Sequence, residues 1–118
     1  MKFSKDHEEA LHVIFRILLR QLGLPEKTLL VTDWSEWQKI HPEDKHDVER
    51  LGGLSDHKNY HIFVNADSCT NFNSVVLMTA HELFHLRRPK TRDEYSIHRW
   101  AECWMNSEHY SQVDMRKL

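Results

Sequence analysis

The chain has 118 residues, which is enough for one domain and too few for a second independent core, so we predict a single domain over residues 1–118. Hydrophobic residues make up 40% of the chain and charged residues 29%, a balance that excludes an intrinsically disordered protein. The formal net charge of −2 provides no strong positive field for nucleic acids or anionic membranes, and we expect neither as a partner.

The first element along the chain is predicted to be an amphipathic helix over residues 4–22, because its apolar side chains recur at helical spacing. The apolar positions are Ala10, Leu11, Ile14, Phe15, Leu18, Leu19 and Leu22. Ser4 or Asp6 can cap its start, and Gly23 and Pro25 end it.

Several short segments in the middle of the chain predict a sheet. Residues 28–32, 51–55 and 60–65 are apolar or β-branched runs that are typical of strands, and the second of them bends at its glycines. Residues 34–40 predict one amphipathic turn or a short helix, and residues 56–59 predict a turn. Together these segments predict a small mixed sheet of about three strands.

The second half of the chain is predicted to be helical. Residues 75–86 are apolar nearly all round, which is typical of a helix buried on most faces, and Pro89 marks its end. A last helix is predicted over residues 92–110, capped at Thr91 or Asp93. The predicted fold class is therefore α+β, with the sheet packed against the N-terminal helix and the buried helix, and with a C-terminal helix following them.

The buried helix carries the motif His81-Glu82-Leu83-Phe84-His85. His81 and His85 lie one helical turn apart on the same face, so their imidazoles can converge on one zinc ion at about 2.0–2.1 Å. Glu82 is rotated by roughly 100° from His81, which places its carboxylate beside the ion, where it can deprotonate a water molecule. Burial of three such polar side chains without partners is rarely tolerated, and this favours a metal site.

A hydrolytic zinc needs a third protein ligand and one open position, and the last helix offers candidates. Its predicted apolar face consists of Ile97, Trp100, Ala101, Trp104 and Met105. Glu94 falls inside that face, where a buried carboxylate requires a partner such as zinc. Glu102 lies at the edge of the face, and His98 lies between the two glutamates. The sequence therefore favours Glu94 and leaves Glu102 and His98 open as the third ligand.

The chain contains ten histidines, and apart from His81 and His85 we expect them to be surface residues. His41 and His46 lie in charged surroundings that predict solvated side chains. The histidines without ligand-like spacing are His7, His12, His57 and His61.

Cellular location is predicted from the cysteines and the N-terminus. Cys69 and Cys103 lie far apart and are expected to be free thiols of a reducing compartment. Residues 1–6 lack the apolar block of a signal peptide, and no apolar run approaches the roughly 18 residues that span a bilayer. We therefore expect a cytoplasmic protein.

These motifs resemble those of the zincin metallopeptidases. The stretch 62–65, with the sequence Ile-Phe-Val-Asn, the helix with Ala-His-Glu-Leu-Phe-His over residues 80–85, and Glu94 ahead of an apolar helix are similar to the gluzincin branch. The nearest likeness is to minimal single-domain gluzincins and ImmA/IrrE-type peptidase domains. It covers roughly residues 60–105.

The resemblance implies a zincin-like domain with Zn²⁺ as cofactor and a peptide or protein as substrate. It implies that His81, His85 and Glu94 are the metal ligands and that Glu82 is the catalytic base. It also implies that residues 62–65 form the edge strand along which an extended peptide binds.

The chain departs from the ImmA/IrrE-type pattern at two residues. Phe84 stands where a small residue is usual, and His98 stands where an Asp is expected four residues after Glu94. We also expect no separate substrate-binding or regulatory domain, and this leaves the substrate specificity and the activity open. The sequence does not indicate the oligomeric state.

The resulting prediction is a zinc metallopeptidase, and three alternatives stay open. The first is a zinc-containing regulatory module whose site is closed by a fourth ligand such as His98. The second is a latent peptidase that acts through a partner protein or is covered by residues 107–118. The third is nucleic-acid binding by the basic residues in 87–99, for which a solvated helix end is preferred. The candidate oxyanion donors are Tyr95, His98, His109 and Tyr110.

Overall fold

The computed structural model describes residues 1–107 and confirms the α+β class for them, with four α-helices and a three-stranded mixed sheet. The helices are α1 (Lys5–Leu22), α2 (Trp34–Ile40), α3 (Phe72–Arg87) and α4 (Glu94–Met105), and the strands are β1 (Leu29–Val31), β2 (Gly53–Asp56) and β3 (His61–Val64). Short 3₁₀ turns lie at Val48–Arg50 and Ala66–Ser68.

Helix α1 begins and ends at the predicted signals. The Ser4 side chain accepts a hydrogen bond from the backbone N–H of His7, and the His7 side chain accepts one from the Ser4 backbone, which forms a capping box. Gly23 ends the helix with a φ of 67°, a left-handed conformation that costs glycine little.

The sheet has the strand order β1-β3-β2. β3 pairs in parallel with β1, Leu30 opposite Ile62, and antiparallel with β2, Asp56 opposite His61. β3 is therefore the central strand, and the expectation that residues 62–65 form a substrate-binding edge is wrong. The reason is that the chain reverses direction at residues 57–60, so β2 pairs along one edge of β3 while β1 pairs along the other.

The two faces of the sheet pack against different helices because side chains alternate along a strand. Ile62 and Val64 join the main core with α1, α3 and α4. Phe63 points to the other face, where it forms a smaller core with Val31 of β1 and Trp37 of α2. The sheet thus lies between α1 and α3 on one side and α2 on the other.

Helix α3 is buried along most of its length, as predicted, and packs against α1, α4, β2 and β3. Helix α4 begins at the cap Asp93, one of the two predicted, and ends at Met105, earlier than predicted. Only Ile97, Ala101 and Trp104 are buried in α4.

Two expectations for the face of α4 are wrong. Trp100 is 37% exposed, and the Glu94 side chain is 68% exposed. Glu94 is the first residue of the helix, and the buried contacts of α4 begin only at Ile97, so the first turn remains open to solvent.

No helix among the described residues is long and apolar enough to cross a membrane. Cys69 and Cys103 are both free thiols, as predicted. His109, Tyr110 and the predicted tail beyond residue 107 lie outside the described residues.

Candidate metal centre

Helix α3 sets the geometry of the candidate site. Its N-terminus is fixed by Asn71, whose side chain accepts a hydrogen bond of 2.9 Å from the backbone N–H of Ser74. His81 and His85 follow on the side that faces the start of α4, with their ring centroids 4.9 Å apart. Glu82 lies on a different side of the same turn, 5% exposed, against the sheet.

The carboxylate of Glu94 meets both imidazoles. Its Oε2 atom lies 2.9 Å from Nε2 of His81, and its Oε1 atom lies 3.1 Å from Nε2 of His85. The two Nε2 atoms are 3.2 Å apart. His81, His85 and Glu94, which we call the α3–α4 triad, therefore present three ligand atoms to one point.

The donor set and its spacing fit a zinc ion. Two ligands at about 2.0–2.1 Å from a tetrahedral zinc lie about 3.3 Å apart, close to the three separations in the triad. Two imidazoles and a carboxylate are also a donor set that zinc accepts, and three protein ligands leave a fourth position open. The side chains of the triad could therefore hold the ion with only small movements.

Burial keeps His81 in the form that binds a metal. Burial, and next the neighbouring His85, lower the pKa of His81, so its imidazole is neutral near neutral pH. Its Nδ1 atom is buried and has no hydrogen-bond partner among the described residues. The hydrogen-bond contacts of His81 among the described residues are therefore those of Nε2, on the side of Glu94.

The Glu82 side chain can lie against β2 because Gly53 has no side chain of its own. A Cβ atom at Gly53 would lie 3.0 Å from Cγ of Glu82 and 2.8 Å from the backbone oxygen of Phe63. Burial, and next the charge of Glu94, raise the pKa of Glu82 to about 8. A divalent cation at the triad would oppose this shift, because a nearby positive charge favours the ionised carboxylate.

The structure separates the three candidates for the third ligand. Glu102 lies 2.6 Å from His98, a pair four residues apart on the exposed side of α4. The His98 ring centroid is 6.0 Å from that of His81, near the triad but outside it. Glu94 alone of the three candidates touches both imidazoles. Of the two described candidates for the oxyanion donor, Tyr95 is 72% exposed, and His98 has its ring next to that of His81.

A cavity of about 290 Å³ opens beside His81 and His98. Leu77 and Met78 of α3 line one side of it, and the small polar residues 68–70 line another. This cavity provides room for a mostly apolar group of a ligand next to the triad.

Sequence reasoning missed a second cluster of possible ligands. His41 is 6% exposed, so the prediction of a solvated side chain is wrong for it. The reason is tertiary, since His41 caps α2 and stacks on the ring of Trp37 with centroids 4.1 Å apart. His41, Asp56 and His61 lie together in what we call the α2–hairpin cluster. The sequence carried no signal for it, because their spacing of 15 and 5 residues is that of no metal motif.

Ionisation in this cluster also reflects burial. Burial, and next the charge of His41, lower the pKa of His61. Burial alone would raise the pKa of Asp56, but hydrogen bonds from Asn59 and Lys58 bring it below its ordinary value. The neutral imidazole and the ionised carboxylate are therefore favoured near neutral pH.

Comparison of the chain with protein-family models, with curated proteins and with solved structures found no match in any of the three.

Proposed function

We propose that the chain is a zinc-dependent hydrolase that cleaves peptide bonds, with His81, His85 and Glu94 as zinc ligands and Glu82 as general base. The observation that carries the proposal is the convergence of three ligand atoms beside a separate, buried carboxylate. The three ligand atoms meet at the open first turn of α4, whereas the Glu82 side chain lies against β2, so the ligands and the proposed base occupy different sides of one helical turn. His98 and Glu102 form a simple pair, whereas the carboxylate of Glu94 meets two imidazoles at once.

The chemistry that zinc supplies when bound is Lewis acidity, which polarises a carbonyl group and acidifies water. Glu82 takes the proton from the water molecule that attacks the scissile carbonyl and passes it to the nitrogen of the leaving amine. The placement of Glu82 beside the ligands but against the sheet suits this role, because a base must reach the water without itself occupying the metal.

A peptide substrate is supported by the edge of the sheet. β2 pairs with β3 on one side and has no other strand beside it among residues 1–107. The backbone groups of an edge strand can accept an extended peptide as a further strand. Gly53 at the start of β2 contacts Glu82, so a peptide added to β2 would run past the proposed base.

A zinc-containing regulatory module is the alternative, and it needs a fourth ligand to close the site. His98 is the described candidate, but its Nε2 atom lies 2.6 Å from Glu102 instead of joining the triad. The arrangement therefore favours an open position and catalysis.

The test is Glu82→Gln in the full chain, loaded with zinc. We expect the variant to bind one zinc at the triad as the wild type does and to lose cleavage of a peptide library by about 10²–10⁴-fold. Glu102→Gln is the matched control, an acid of the neighbouring helix that should keep both properties. Full cleavage by the Glu82 variant would reject Glu82 as the base, and wild-type protein that binds zinc but cleaves no peptide would support the regulatory module.

A further inference from the structure

The α2–hairpin cluster lies on the opposite face of the sheet from the triad. Asp56 and His61 are directly opposite each other across β2 and β3, so their side chains share one face. That face also carries Phe63, two residues on from His61, and it packs against α2. Gly53, which contacts Glu82, belongs to the other face. The two groups of ligands are therefore separated by the sheet.

The ligand atoms of the cluster converge on one point. Nε2 of His41 lies 2.9 Å from Nδ1 of His61 and 3.7 Å from Oδ2 of Asp56. Ligands bound at about 2.0–2.1 Å to one ion lie no more than about 4.2 Å apart, so both separations fit a shared ion. A hydrogen bond joins the two imidazoles, but the 3.7 Å gap to the carboxylate is too long for one.

The ligands are held in place by contacts of their own. The His41 ring lies flat on the indole of Trp37, which is 1% exposed, and the indole N–H donates to Asp44 at 2.9 Å. Asp56 accepts hydrogen bonds from the backbone N–H groups of Lys58 and Asn59, which orient its carboxylate. Such supporting contacts are what fix metal ligands in position.

The buried position of His41 and the adjoining cavity complete the site. His41 is 6% exposed and points its Nε2 atom at the other two ligands. A cavity of about 470 Å³, lined in part by His41 and Asp56, gives an ion a path from solvent and leaves room for a further ligand.

We propose that His41, Asp56 and His61 form a second binding site for a divalent transition-metal ion of the zinc type. Two imidazoles and one carboxylate favour Zn²⁺ and its neighbours over Mg²⁺ or Ca²⁺, which prefer oxygen ligands alone. The bound ion ties the C-terminal end of α2 to the β2–β3 hairpin. It is independent of the triad and of the proposed peptidase activity.

The test is the number of Co²⁺ ions bound by the full chain after removal of metal with a chelator. Cobalt absorption reports the ion directly and needs no enzymatic assay. We expect two equivalents for the wild type and one for His85→Gln, which disables the triad. In the His85→Gln background, His41→Gln should remove the remaining equivalent, weakening its binding by more than about 100-fold, since even outer contacts of a metal site contribute about 10–100-fold.

His46→Gln and His57→Gln, each also in the His85→Gln background, are the matched controls, because both residues line the same cavity but lie outside the cluster. Both double variants should keep the remaining equivalent. Circular dichroism of the metal-free proteins checks folding, and should His41→Gln fail to fold, His61→Gln, which alters a more exposed ligand, gives the decision.

A single equivalent in the wild type that His41→Gln and His61→Gln leave unchanged would overturn the proposal. Equal losses in the two control variants would overturn it as well, since the ion would then bind surface histidines in general. Failure of the triad gives a different pattern, in which His85→Gln changes nothing and His41→Gln still removes one equivalent.

Discussion

Replacement of Glu82 by Gln should stabilise the metal-free protein at neutral pH. Burial raises the pKa of Glu82 from 4.5 to about 8, so the folded chain holds it protonated at pH 7 while the unfolded chain ionises it. A group whose pKa is higher in the folded chain than in the unfolded chain stabilises the fold fully at a pH below its unfolded pKa. This stabilisation is lost as the pH rises from the unfolded pKa through the folded pKa. Between pH 4.5 and pH 7 the contribution of Glu82 to the free energy of unfolding of the wild type therefore falls by about 3 kcal/mol, at about 1.36 kcal/mol per pH unit.

Gln has the shape of the protonated carboxyl group and does not titrate, so the free energy of unfolding of the Glu82→Gln variant should not show this decrease between pH 4.5 and pH 7. Urea unfolding of chelator-treated protein, followed by tryptophan fluorescence, should give equal free energies of unfolding near pH 4 and a value about 3 kcal/mol higher for the variant at pH 7. Glu9→Gln on the exposed side of α1 is the control and should follow the wild type. Zinc should reduce the difference in free energy of unfolding between the variant and the wild type at pH 7, since a nearby cation favours the ionised carboxylate of Glu82. Parallel pH profiles for the wild type and the Glu82 variant would refute the reasoning, because they would mean that Glu82 is ionised in the fold.

Three further predictions concern the triad and its surroundings. Glu94→Gln should weaken zinc binding by more than about 10-fold in a competition titration, whereas Glu102→Gln should leave it unchanged; equal losses would reject Glu94 as the ligand. Gly53→Ala should destabilise the fold by about 1–3 kcal/mol in urea unfolding and reduce peptide cleavage while zinc stays bound, because its Cβ would meet a backbone oxygen and Glu82. Gly52→Ala meets only the flexible end of a methionine, at 3.0 Å, so it should affect both properties far less, and an effect as large as that of Gly53→Ala would contradict the steric argument.

Local signals in the chain were sufficient for most of the elements. The apolar period of α1, its stop at Gly23 and the hydrophobic course of α3 depend on neighbours within a few residues, and the structure confirms all three. The likeness to zincin peptidases stays a prediction, as do the zinc ion and the cleavage of peptides.

The helical repeat also places His81 and His85 on one face, since residues four apart on a helix are neighbours whatever the rest of the fold does. The sequence could not choose among Glu94, Glu102 and His98, because that choice depends on how α4 crosses α3. The crossing brings the open first turn of α4 to the imidazoles, so Glu94 reaches them from an exposed position. The prediction that the carboxylate of Glu94 is buried is therefore wrong.

By itself the sequence determined what lies within one turn of a helix or one step of a strand: the elements, the paired imidazoles and the carboxylate beside them. Tertiary structure alone decided that β3 is central, that Gly53 makes room for Glu82, and that His41 is buried against His61 and Asp56. These relations join residues far apart in the chain. They follow from strand order and helix packing, which are settled by the burial of the whole apolar surface and are not encoded in any local pattern.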